Sequence, residues 1–165
     1  MSCPAGSSSA AGASSCTLCA KGTYSSTAGS SCSPCSAGTF ANATGMTSCS
    51  KCPIRSSSAA GASSCFYCPR GTYSSSAGSL CTTCRAGTKA NKRGSLACTR
   101  CPAGSSSSAG ASSCTSCQAG TYSSTAGSLC IKCSSGTYSS SAASLSCKKC
   151  PTGSSSVAGA SSCTA

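Results

Sequence analysis

The chain has 165 residues, with 12 Lys/Arg and no Asp, Glu or His. Without a carboxylate or an imidazole there is no ordinary general base, no catalytic triad and no carboxylate metal site, so the inventory points away from an enzyme. Leu, Ile, Val and Phe number only ten, too few for a conventional core, so the chain is either disordered or held by covalent staples; its 20 cysteines select staples.

In chain order, one module recurs ten times. It opens with a cysteine and closes with a second one; two residues later the next module opens. The openers are Cys3, Cys19, Cys35, Cys52, Cys68, Cys84, Cys101, Cys117, Cys133 and Cys150. The closers are Cys16, Cys32, Cys49, Cys65, Cys81, Cys98, Cys114, Cys130, Cys147 and Cys163. Openers are spaced 16, 16 and 17 residues apart, and this rhythm repeats. It gives super-repeats at 3–51, 52–100 and 101–149, with 150–165 as the first module of a fourth. A fixed period predicts an array in which each module touches mainly its neighbours.

Three module types alternate. The first is CPAGSSSAAGASSC at 3–16, the second CAKGTYSSTAGSSC at 19–32, and the third CSAGTFANATGMTSC at 35–49. Cys-Pro-Ala-Gly suits a type I turn with Pro second and Gly fourth. Arg55 stands where the other modules carry that glycine. Thr23-Tyr24-Ser25-Ser26 suits a short strand, and Ala28-Gly29 a second turn. Each module therefore reads as a small irregular β-hairpin. The fold class is a small disulfide-rich repeat, an extended rod or solenoid with little regular secondary structure.

The Cys-x-x-Cys pairs admit three chemistries. Zinc ribbons use two such pairs, but nine pairs leave a remainder, with Cys3 and Cys163 as single ligands. Thioredoxin-like redox chemistry needs a helix N-terminus in a βαβ setting, which the sequence does not offer. Structural disulfides remain. Pairing each opener with its own closer uses every cysteine and is the expected connectivity; the runner-up, a staggered ladder between neighbouring modules, would leave end cysteines unpaired, and spacing alone does not prove either. No cofactor or metal is expected.

The pattern C-x-x-G-T-Y-S…A-G…C-x-x-C, carried by Gly22-Thr23-Tyr24, Gly71-Thr72-Tyr73 and Gly120-Thr121-Tyr122, resembles the ephrin-receptor-like cysteine-rich repeat, also called the GCC2/GCC3 repeat. It is also similar to the one-disulfide submodule of tumour-necrosis-factor-receptor ectodomains. The resemblance covers residues 3–163. It implies a receptor ectodomain or a large surface or fibre protein, such as the flagellar-hair (mastigoneme) proteins of algae and protists. Ser8, Ser57, Ser106, Ser155 and Lys89 depart from the pattern where it has an aromatic residue.

Asn42-Ala43-Thr44 is an N-glycosylation sequon, and the many Ser/Thr hydroxyls offer O-glycan sites. A basic balance selects acidic partners, among them an acidic glycan. Nucleic acid is not expected, because Lys89, Lys92 and Arg93 lack a stacking platform of aromatics. No membrane span or signal peptide is read, and an internal piece of a longer secreted protein is expected. The sequence thus predicts an extracellular or cell-surface structural component, a glycosylated and self-associating rod in a fibre or coat. A ligand-binding or adhesion ectodomain is the alternative. Near-identity of modules, as in AGASSC at 11–16, 60–65, 109–114 and 158–163, favours the periodic material.

Overall fold

The computed structural model describes residues 2–165. The chain divides into two compact units. One holds the described residues up to Pro69, with Tyr73–Thr82 and Arg93–Leu96; the other holds Arg70–Thr72, Thr83–Lys92 and Ala97–Ala165. The same module architecture is found in each.

Among the described residues, eighteen two-residue strands form nine two-stranded sheets, and the pairings at Ser7–Leu18, Thr23–Pro34 and their counterparts along the array are antiparallel. The first module shows the plan. Strand β1 (Ser7–Ser8) pairs with β2 (Thr17–Leu18), matching Ser7 with Leu18 and Ser8 with Thr17. The residues after the first turn thus return against the two-residue spacer that follows the closing cysteine. A disulfide bonds each opener to its own closer, with Cα atoms 5.5–5.8 Å apart. Bridges between neighbouring modules are not used, and no cysteine is free.

The first turn sits one residue later than the sequence suggests. The Ser7 N–H donates to the Pro4 carbonyl at 3.1 Å, so Pro4 is first and Gly6 third. Gly6 has φ +82°, which a type II turn requires at its third place. The type I reading fails because the N–H of Gly6 is taken by the next module, bonding the Ser25 carbonyl at 2.8 Å. A hydroxyl clamps the turn from within. Ser7 Oγ donates to the Pro4 carbonyl and Thr23 Oγ1 to the Ala20 carbonyl, both at 2.8 Å. The Gly-Thr or Gly-Ser step is therefore a turn-and-clamp unit, in which the hydroxyl gives the turn's carbonyl a second donor beside the backbone N–H.

Junctions repeat the same bonds. An opener's N–H donates to the previous first-turn carbonyl, as in Cys19 to Gly6 at 2.9 Å. An opener's carbonyl accepts from the next module's second-turn glycine, as in Gly29 to Cys3 at 2.8 Å. The openers from Cys3 to Cys133 are buried, together with small residues such as Ser25, Ala41, Ser74, Ala90 and Ser123. The interior is built of sulfur, methyl and hydroxyl groups, and among the described residues no buried side-chain polar atom lacks a partner. Sheets this short would not stand alone in water; the disulfide and the two neighbouring junctions hold each hairpin.

Contact extends beyond the nearest neighbour, which the sequence did not suggest. A Cβ placed on Gly6 would collide with the Gly45 carbonyl, one on Gly22 with that of Gly61, and one on Gly38 with that of Gly78. In the second unit Gly87 faces Gly127, Gly104 faces Ala143, and Gly120 faces Gly159 in the same way. Each of these first turns is thus pressed against the second turn two modules on, the geometry of a Cα–H···O contact. Within each unit, alternate modules stack into two rows, and hydrogen bonds between consecutive modules stitch the rows together.

All 18 glycines have positive φ. They fill 18 of the 20 turn places in the ten modules; Arg55 (φ 73°) and Ala143 (φ 59°) fill the other two and are the only non-glycine residues with positive φ among those described. The conformation is therefore imposed by the array even where the residue resists it. A left-handed L-residue costs about 1–2 kcal/mol.

Candidate functional site

The repeated element with functional meaning is the junction and the surface it leaves outside. The second spacer residue of one module lies over the second-turn glycine two modules on. Leu18 packs on Gly45, Lys51 on Gly78, Arg100 on Gly127 and Lys132 on Gly159. For Lys51 and Arg100, 49 residues apart in sequence, the match is close: their Cβ, Cγ and Cδ atoms lie 3.2–3.5 Å from the point a glycine Cβ would occupy. The methylene stem covers the turn while the residue remains exposed, so a spacer lysine or arginine contributes packing and outward charge together. The sequence shows Lys51 and Arg100 one super-repeat apart but not their packing role, because a solvent-facing cation carries no hydrophobic signal.

The 49-residue period has a side-chain correlate. Ser58 Oγ donates to the Thr39 carbonyl, Ser107 Oγ to that of Thr88, and Ser156 Oγ to that of Thr137, each at 2.8 Å. These bonds occur where a third-type module meets a first-type one. The serine-rich first-type module uses its hydroxyl there as a strut.

The candidate residues from the sequence fall as follows. Every cysteine lies in an intramodule bridge; the openers through Cys133 are buried, while Cys150 and all the closers are half-buried. Asn42 is exposed in the loop after β5 (Thr39–Phe40), next to the buried Ala41, so its sequon faces outward. Tyr24, Phe40, Tyr73, Tyr122 and Tyr138 are half-buried in strands, so their rings belong to the hairpin walls. Lys89 is half-buried in the same strand position, while Lys92 and Arg93 are exposed. Among the described residues no helix is long and apolar enough to cross a membrane.

One module departs from the rest. In 52–65 the first turn carries Ile54 and Arg55, and its spacer is Phe66–Tyr67. Ile54 is 47% exposed, Phe66 50% and Tyr67 63%. Sequence reading noted Arg55 as an exception but gave no sign that its backbone is left-handed.

The profile of a family described as tyrosine-protein kinase ephrin type A/B receptor-like matches residues 22–60, 71–117 and 120–165. No curated protein matches the chain.

Proposed function

Taking as premise that the chain belongs to the ephrin type A/B receptor-like repeat family, we propose that it is a non-catalytic structural part of an extracellular fibre or surface coat, a disulfide-laddered rod that is glycosylated and self-associates. The extracellular setting follows from ten disulfides in a family of disulfide-rich repeats, since such bonds persist in oxidising compartments. The observation that carries the structural role is the uniformity of the junction. The bond from a second-turn N–H to the preceding opener's carbonyl recurs at 2.8 Å from Gly29–Cys3 to Gly159–Cys133. A surface reproduced at every step suits a load-bearing or coating material better than a single recognition site, which needs local difference. The outward sequon at Asn42 supports a glycan coat.

Electron microscopy of the native assembly, with intact mass of the secreted chain, tests the reading. Filaments or a periodic layer are expected, with a mass above that of the polypeptide and a decrement when Asn42→Gln is introduced. Isolated monomeric ectodomains of bare polypeptide mass would refute it.

A further inference from the structure

The module at 52–67 breaks the pattern at Arg55 and at Tyr67, and the two meet at one turn. Arg55 takes a left-handed backbone, φ 73°, at a place where the other nine modules have glycine. The Tyr67 ring lies over the Gly94 turn, with Cδ1 3.0 Å from the point where a Cβ on Gly94 would stand; the Cβ of Arg55 is 3.4 Å from the same point. Tyr67 and Arg55 therefore flank one turn. Tyr67 also lines a cleft of about 180 Å³ with Pro53, Ser56 and Cys65, in the module whose first turn carries Arg55. The cleft sits against β7 (Ser56–Ser57) and β8 (Phe66–Tyr67), where Ser56 is opposite Tyr67.

Each departure goes against the array's own needs. Strain held by the surrounding structure is characteristic of functional positions. Tyr67 puts an exposed aromatic ring at a spacer position where Lys51 and Arg100 lay a methylene stem. Like the other Lys and Arg residues, Arg55 has no side-chain carboxylate in the chain to pair with, so an acidic ligand would meet no internal competitor for its exposed guanidinium.

We propose that this module is a binding subsite for one acidic sugar residue of an anionic glycan. The Tyr67 ring offers an apolar face for the C–H side of a pyranose ring. The Arg55 guanidinium, planar and permanently charged, suits bidentate pairing with a uronate carboxylate or a sulfate. Charge complementarity sets the class of the ligand, and cleft size sets its scale. The cleft holds about one ring, whereas a folded acidic protein would need roughly 800 Å² of its own surface in contact. An acidic peptide segment is the competing occupant, and the test separates the two. The proposal does not depend on the fibre role.

The 165-residue chain is titrated with a uronic-acid hexasaccharide, a sulfated hexasaccharide, a neutral hexasaccharide and a poly-glutamate of matched charge. One of the acidic sugars is expected to bind best. Arg55→Gly, which restores the array's own residue, should weaken that binding about tenfold or more, as should Tyr67→Thr, the residue at the equivalent Thr83. Lys149→Ala removes the same charge elsewhere and should change it by less than about threefold. Because Arg55→Gly relieves strain, its unfolding midpoint should rise while binding falls, so lost affinity cannot be lost structure. Equal losses in Arg55→Gly and Lys149→Ala would show diffuse charge and overturn the subsite. So would poly-glutamate binding as tightly as the sugars, or no acidic sugar binding at all.

Discussion

Two kinds of glycine strain can be separated by a matched pair of substitutions. Gly120 has φ +84° and faces the Gly159 carbonyl across the row; Gly136 has φ +74° and nothing within 4 Å of its Cβ direction. Replacing either by alanine forces an L-residue into the left-handed region, at about 1–2 kcal/mol. Lower entropy of the unfolded chain returns roughly 0.4–1 kcal/mol of this. Gly136→Ala should therefore cost about 1 kcal/mol. Gly120→Ala adds overpacking against a backbone carbonyl that cannot rotate away, about 1–3 kcal/mol more. Hydrogen–deuterium exchange reads each site locally. The Gly159 N–H, bonded to the Cys133 carbonyl at 2.8 Å, reports on Gly120; the Cys150 N–H, bonded to the Gly136 carbonyl at 2.9 Å, reports on Gly136. Exchange should accelerate more in Gly120→Ala by roughly 5- to 150-fold, the ratio that the extra 1–3 kcal/mol implies. Equal acceleration in the two variants would mean that the alternate-module contact contributes nothing and that the rows do not pack.

Ala143→Gly should stabilise the chain by about 0.5–1 kcal/mol, because Ala143 is held at φ 59°; an unchanged or lower denaturation midpoint would contradict the strain. Full reduction should abolish the ordered structure, since each bridge closes a loop of 13 or 14 residues worth about 3 kcal/mol and little apolar area stands behind it. A zinc chelator should have no effect, and amide protection surviving full reduction would defeat the staple argument. With no Asp, Glu or His, no side chain changes charge between about pH 5 and 7. The thermal midpoint should be flat across that window, and a clear slope would reveal a charge-bearing modification absent from the polypeptide.

The hairpin fold was legible because cysteines and glycines punctuate every module, and their order leaves few ways to arrange two turns around one bridge. The first-turn frame was misplaced by one residue for a physical reason. Pro4 fits the second place of an isolated turn, but the Gly6 N–H bonds across the junction to Ser25, and a single module cannot show that. Stacking of alternate modules was also hidden. A glycine needed for positive φ and a glycine needed for close approach look identical in sequence, and at Gly6 both demands coincide. Arg55 was visible as an exception, yet only its φ turns a substitution into strain. The serine struts at Ser58 and Ser107 were lost among more than fifty hydroxyl residues of similar appearance.

The intramodule bridge also sets how the molecule answers a pull. Tension travels along the shortest covalent path, and each disulfide short-circuits the hairpin it closes. Per module that path is one bridge of 5.5–5.8 Å between Cα atoms, plus three backbone steps through the spacer, about 11 Å when straight. The same 16 residues without a bridge would reach about 58 Å. Even with every hydrogen bond torn, an oxidised module extends to less than a third of its unlocked contour. The chain under load is a strap of nearly fixed length whose slack is released by reductant rather than by force.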